Sequence, residues 1–245
     1  MKPDVEKILQ EIFDPFIQSQ EIKTHTLTKS PSFKEIEKFA ELILRDESDE
    51  IFQKYLSKNS SFLFRQALAT DESPLGILAK PPIGNFNFAD YAIFSISQGG
   101  CHVWLIEIER PSDKLFTKKL TPANKLQTAL GQIHDWNESL KSNRNTFFNS
   151  AFKLLKEAPK YPNSKENGSF IYCAKNKIDE IWNGFGGHDY CTFNYVITLG
   201  RWSQLTQREK QRLAYYNQIY HNENITIRTY DNFIRKVIDG PKYLW

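Results

Sequence analysis

Two β-rich runs, ADYAIFSI and CHVWLIEIE, follow one another with only SQGG between them, and this pair constrains the fold more than any other feature. The pattern predicts an antiparallel hairpin over residues 89–96 and 102–109, with Gly99 and Gly100 turning. Pro111 closes the second strand because it has no N–H to give to a ladder. Side chains alternate faces along a strand, so Val103, Leu105, Glu107 and Glu109 point one way while Trp104, Ile106 and Ile108 point the other. Asp90 shares a face with Ala92, Phe94 and Ile96. The start of one hairpin strand lies beside the end of the next, which places Asp90 near Glu107 and Glu109.

Three acids at the end of apolar strands suggest metal chemistry. Residues two apart on a strand are separated by roughly 6.5 Å, close enough for both carboxylates to reach one divalent cation directly or through water. Crowded carboxylates raise one another's pKa, and a bound cation keeps them ionised. Oxygen-only ligands favour magnesium or manganese, which bind phosphates and help generate hydroxide, so phosphodiester hydrolysis is the expected reaction. A plainer alternative stays open, in which Glu107 and Glu109 lie at a solvated strand end and pair with Arg110 or Lys114.

The flanking chain reads as helices and strands in alternation. Val5, Ile8, Leu9, Ile12, Phe13, Phe16 and Ile17 fall at helical spacing, as do Phe33, Ile36, Phe39, Ala40 and Ile43, with Ser30 or Ser32 as N-cap. Residues 1–45 are therefore expected to form a helical preface to a domain spanning 46–245. A third helix begins after Asp46 or Ser48 and ends near Asn59. After the hairpin, helices are expected over 122–140 and 146–157, then strands SFIYCA and FNYVITL, helix QREKQRLAYYNQIY, strand ITIRTY and helix DNFIRKVI. A hairpin followed by this alternation predicts an α/β fold with a mixed central sheet flanked by helices.

Composition narrows the class without naming the activity. The 245 residues are 40% hydrophobic and 25% charged, a balance that folds, and the net charge of +3 permits nucleic-acid binding without arguing for it. No segment approaches the ~18 apolar residues that cross a bilayer, and MKPDVEKILQEIF lacks a signal peptide's apolar stretch. A cytoplasmic protein is expected. Cys101, Cys173 and Cys191 show no CxxC spacing, which predicts reduced structural thiols.

From Asp49 to Phe233 the chain resembles the Shedu C-terminal domain, a branch of the PD-(D/E)xK nuclease superfamily. The resemblance is carried by DEIFQKYLSKNSSFL, ADYAIF, LIEIERPSDKLFTK, ALGQIHDW, VITLGRWSQLTQREKQRL and ITIRTYDNF. It implies a restriction-endonuclease-like fold, a Mg²⁺ or Mn²⁺ cofactor, DNA of phage or plasmid as partner, homo-oligomerisation and a role in antiphage defence. The superfamily pattern is an acid, ten to thirty residues, then an acid, any residue and lysine. Asp90 and Glu107 fit it with sixteen residues between them, but Glu109 stands where lysine is usual. Lys114 or Lys118 would then supply the missing cation. Gln132, four residues before Trp136, resembles a QxxxY element used beside the metal, and Glu50 matches a glutamate on the preceding helix. Arg201, Arg208, Lys210 and Arg212 would hold phosphates. Two other readings remain: a nuclease-inactive nucleic-acid-binding module, and a structural subunit that docks through Phe13 and Phe16.

Overall fold

A computed structural model describes residues 31–67, 73–84, 87–97, 100–157, 170–173 and 191–239. The helix expected over residues 5–17, with Phe13 and Phe16, lies outside them. Three helices lead: α1 (Phe33–Leu44), α2 (Asp49–Lys58) and α3 (Ser60–Ala67). Strands β1 (Ser73–Ala79), β2 (Pro82–Ile83), β3 (Asn87–Phe88), β4 (Tyr91–Ser97) and β5 (Gly100–Ile108) follow. Then come α4 (Asn124–Glu157), β6 (Phe170–Cys173), β7 (Thr192–Thr198), α5 (Gln207–Tyr220), β8 (Ile225–Arg228) and α6 (Tyr230–Asp239).

Six strands form one mixed sheet in the order β6-β1-β4-β5-β7-β8. The expected hairpin is present: β4 and β5 are antiparallel, with Tyr91 opposite Ile106 and Ser97 opposite Gly100. β5 then pairs in parallel with β7, and β7 in parallel with β8. Strand β5 is central and covered on both faces, which its near-continuous apolar run requires. The expected alternation holds. Val103 and Leu105 join Ala92 and Phe94 in a core with Ile133, Trp136 and Leu140 of α4 and Leu213 of α5. Ile106 and Ile108 join Tyr91 and Ile93 in a second core with Phe39 of α1, Phe52 of α2, Phe62 of α3 and Phe233 of α6. This is the mixed, helix-flanked sheet expected of a restriction-endonuclease-like fold.

Helix α1, placed in the preface by sequence, contributes Ile36, Phe39, Ala40, Leu42 and Ile43 to that second core. Its start is fixed by a capping box in which Ser32 Oγ accepts from the Glu35 amide and the Glu35 carboxylate accepts from the Ser32 amide at 2.6 Å. Replacing Ser32 with alanine is expected to cost about 1 kcal/mol, read as a lower urea midpoint at unchanged slope. The two helices expected over 122–140 and 146–157 are present within Asn124–Glu157, separated at Asn143, whose φ −126° and ψ 28° leave the helical region.

Candidate active site

Asp90 sits immediately before β4, where its N–H donates to the Ile106 carbonyl at 3.0 Å. Its side chain is 4% exposed, and three donors converge on its carboxylate. The Ile108 amide reaches Oδ2 at 2.7 Å and Gln53 Nε2 reaches Oδ1 at 2.6 Å, while Lys80 Nζ forms a close ion pair with Oδ1. Burial pushes the Asp90 carboxyl above the usual range, and the Lys80 and Ile108 contacts pull it back in part. Lys80 reaches this position because β1 ends beside Asp90. It adopts a left-handed φ of 49°, and its own amide donates to the Asp90 carbonyl at 2.9 Å.

Glu107 lies at the end of β5 on the α4 side, 9% exposed, and its Oε2 has no hydrogen-bond partner among the described residues. Burial first, then the charge of Asp90, pushes its carboxyl up to about 8. Lys80 opposes that rise, as does the Gln132 side chain, which hydrogen-bonds to it. Gln132 Oε1 is likewise buried and unpartnered. Buried oxygens without partners are costly, and a proton or a cation at Glu107 Oε2 would relieve that cost.

Glu109 continues the ladder past β5, its N–H donating to the Thr198 carbonyl at 2.9 Å and its carbonyl accepting from the buried Tyr230 hydroxyl at 2.6 Å. Its carboxylate pairs with Lys125 Nζ at 2.9 Å. Burial raises the Glu109 carboxyl and Lys125 opposes this, while Glu109 in turn raises the Lys125 amine. Lys125 and Gln132 are seven residues apart on α4, two helical turns, so one helix face delivers a lysine to Glu109 and an amide to Glu107. The backbone beyond is held by Gly200, whose φ is +66° and whose amide donates to the Arg110 carbonyl at 3.1 Å. A Cβ there would stand 2.3 Å from Leu115 Cδ1.

The structure brings Asp90, Glu107 and Gln132 together, with Glu109 close by and paired to Lys125. Among the described residues no three Asp, Glu, His or Cys side chains are gathered closely enough to hold an ion. Lys80 pairs with Asp90 and Lys125 with Glu109. Glu50 is exposed on α2 and does not join the cluster; Gln53, one turn further, touches Asp90, and Asp49 lies close enough to influence Asp90 and Glu109. Lys114 and Lys118 are exposed in the loop after β5, and neither forms an ion pair among the described residues. Trp136 is buried in the core, and His134 pairs at the surface with Glu223 at 3.3 Å.

Of the basic group, Arg212 Nε donates to the Leu120 carbonyl at 3.0 Å and the guanidinium lies over Tyr215 and Tyr216, so it braces the fold. Arg208 is exposed, Arg201 carries a buried Nε with no partner, and Lys210 lies over the Trp202 ring. Sequence reasoning did not find Lys80, Gln53 or Lys125. The one signal for Lys80 was its place at the end of the run LGILA, just before Pro81 and Pro82. Cys101 and Cys191 are buried free thiols, as expected, and the Cys173 side chain lies outside the described residues. No helix among the described residues is long and apolar enough to cross a membrane.

No curated protein matches this chain. The family described as Shedu protein SduA, C-terminal, matches residues 46–234, well over half of the sequence and every acid of the cluster. The chain therefore belongs to the Shedu protein SduA C-terminal family.

Proposed function

We propose that this protein is a divalent-metal-dependent nuclease or nickase acting on DNA in antiphage defence, on the PD-(D/E)xK plan. The observation that carries the reading is the buried Glu107 Oε2, without a partner among the described residues and close to the Asp90 charge, with the Gln132 side chain hydrogen-bonded to the same carboxyl. An all-oxygen donor set of this kind suits Mg²⁺ or Mn²⁺. Asp90 and Glu107 would hold the ion, with Glu109 able to join once Lys125 is displaced. When bound, the ion supplies charge stabilisation for the phosphoryl transition state and lowers the pKa of the attacking water.

The chain's own groups do the rest. Gln132, anchored on α4, orients substrate or water at Glu107. Glu109 cannot provide the positive charge of the usual lysine, and Lys125, tethered to it at 2.9 Å, brings that charge to the same strand position. Lys125→Ala is expected to slow cleavage roughly a hundredfold even though it frees Glu109 to join the ion and so leaves Mn²⁺ affinity equal or tighter, with partial rescue by Lys125→Arg. A rate equal to wild type would remove Lys125 from the mechanism.

Calorimetric titration of Mn²⁺ into wild type, Glu107→Gln and Asp90→Asn tests the ion site itself. Binding by wild type alone supports the reading, and equal binding by all three overturns the ligand assignment. One observation favours a nuclease-inactive nucleic-acid-binding module: Lys80 already neutralises Asp90, as a residue replacing a metal would. That reading gains if wild type binds DNA equally with and without Mg²⁺ and no metal supports cleavage.

A further inference from the structure

Beyond the carboxylates, the turn Trp202–Gln204, the start of α5 and the start of α6 line an open cavity of about 440 Å³. Its walls combine one aromatic face, Trp202, with two cations, Lys210 and Arg235, and with polar groups from Ser203, Asp231 and Asn232. Trp202 is 44% exposed, a large apolar surface to leave in water. It is not there by looseness of the chain, because its amide donates to Asp231 Oδ2 at 2.5 Å and so pins the turn to α6. Lys210 Nζ stands 5.0 Å from the ring centroid, where it pairs with the π face. The cavity is joined to the candidate active site through Tyr230, whose amide donates to the Gly200 carbonyl and whose hydroxyl donates to the Glu109 carbonyl.

We propose that this cavity takes one unpaired nucleotide, its base stacked on Trp202 in place of Lys210, which turns from the ring to hold the phosphate with Arg235. A flat hydrophobic ring flanked by cations is the chemistry that binds a base and its phosphate without reading sequence. The Asp231 carboxylate, an acceptor only, suits the N–H edge of a base. A mononucleotide and an unpaired nucleotide of a DNA strand share this chemistry; the inference rests on the nucleic-acid reading above in assigning the cavity to a strand.

The test is fluorescence anisotropy of a labelled short oligothymidylate with full-length protein in chelator, so that no cleavage enters. Thymidine 5′-monophosphate serves as unlabelled competitor. Trp202→Ala is expected to weaken binding roughly tenfold or more, the range for losing one stacked base, with Trp202→Phe retaining most of the affinity. Lys210→Ala is expected to weaken it and to flatten its salt dependence. Circular dichroism melts establish that the variants are folded. Displacement by the monophosphate at concentrations comparable to the strand would keep the nucleotide site and reassign it to a free nucleotide. Equal oligothymidylate binding by wild type and Trp202→Ala, or no binding of either probe, would overturn the proposal. Trp202-dependent binding in a protein that cleaves with no metal would leave the cavity assigned while the nuclease reading fails.

Discussion

Glu107→Gln is expected to abolish metal-dependent cleavage, by on the order of a thousandfold, while leaving the protein folded and changing how its stability depends on pH. In the absence of metal the buried Glu107 carboxyl titrates at about 8 rather than at its ordinary 4.5. Between those values the folded protein keeps a proton that the unfolded chain releases, so stability falls as pH rises through that window and is level above it. The group is less than a tenth exposed, and the loss amounts to a few kcal/mol. Glutamine has the same shape and no charge to strand. Urea denaturation in chelator at pH 5 and pH 8 should therefore find wild type weaker at pH 8 and a clearly smaller fall in Glu107→Gln, the remainder coming from Asp90 and Glu109, which burial also raises. A wild-type profile without that fall would mean that Glu107 is solvated or paired, and the case for an ion at its Oε2 would go with it.

Asp90→Ala is expected to remove activity and also to damage the fold. The Ile108 amide and Gln53 both donate to this carboxylate, and Lys80 is paired to it. Alanine leaves the buried Ile108 N–H without an acceptor at the end of the central strand. A loss of about 2 to 3 kcal/mol follows, visible as a lower denaturation midpoint. Asp90→Asn keeps an acceptor for Ile108 and should recover much of the stability but none of the cleavage. If Asp90→Asn cleaved as well as wild type, Asp90 would be a structural residue alone.

The sequence disclosed those parts of the fold that are written locally. The alternation in CHVWLIEIE fixed which side of the sheet carries Glu107, and Ser32, one of the two N-caps offered, starts α1. Helix α3 was missed because the polar run KNSS, in which Asn59 alone separates it from α2, reads as an end rather than as a join. Strand β1 was missed because Pro74 and Gly76 interrupt a short run, and the register indeed shifts between those two residues.

The site was legible as acids and illegible as ion pairs. Asp90 and Glu107 meet because a hairpin must bring them together. Lys80 meets Asp90 only because β1 lies beside β4, and Lys125 meets Glu109 across a long loop. The choice of Glu50 over Asp49 and Gln53 turned on helix phase: each residue rotates the direction by about 100°, so one position decides between solvent and site.

The most direct measurement is incubation of purified full-length protein with supercoiled, linear and single-stranded DNA, in Mg²⁺, in Mn²⁺ and in chelator, beside Glu107→Gln. Cleavage or nicking by wild type with either metal, absent in chelator and absent in Glu107→Gln, is the predicted result. Metal-dependent cleavage that Glu107→Gln performs equally well would contradict it, as would intact DNA in every lane despite tight binding.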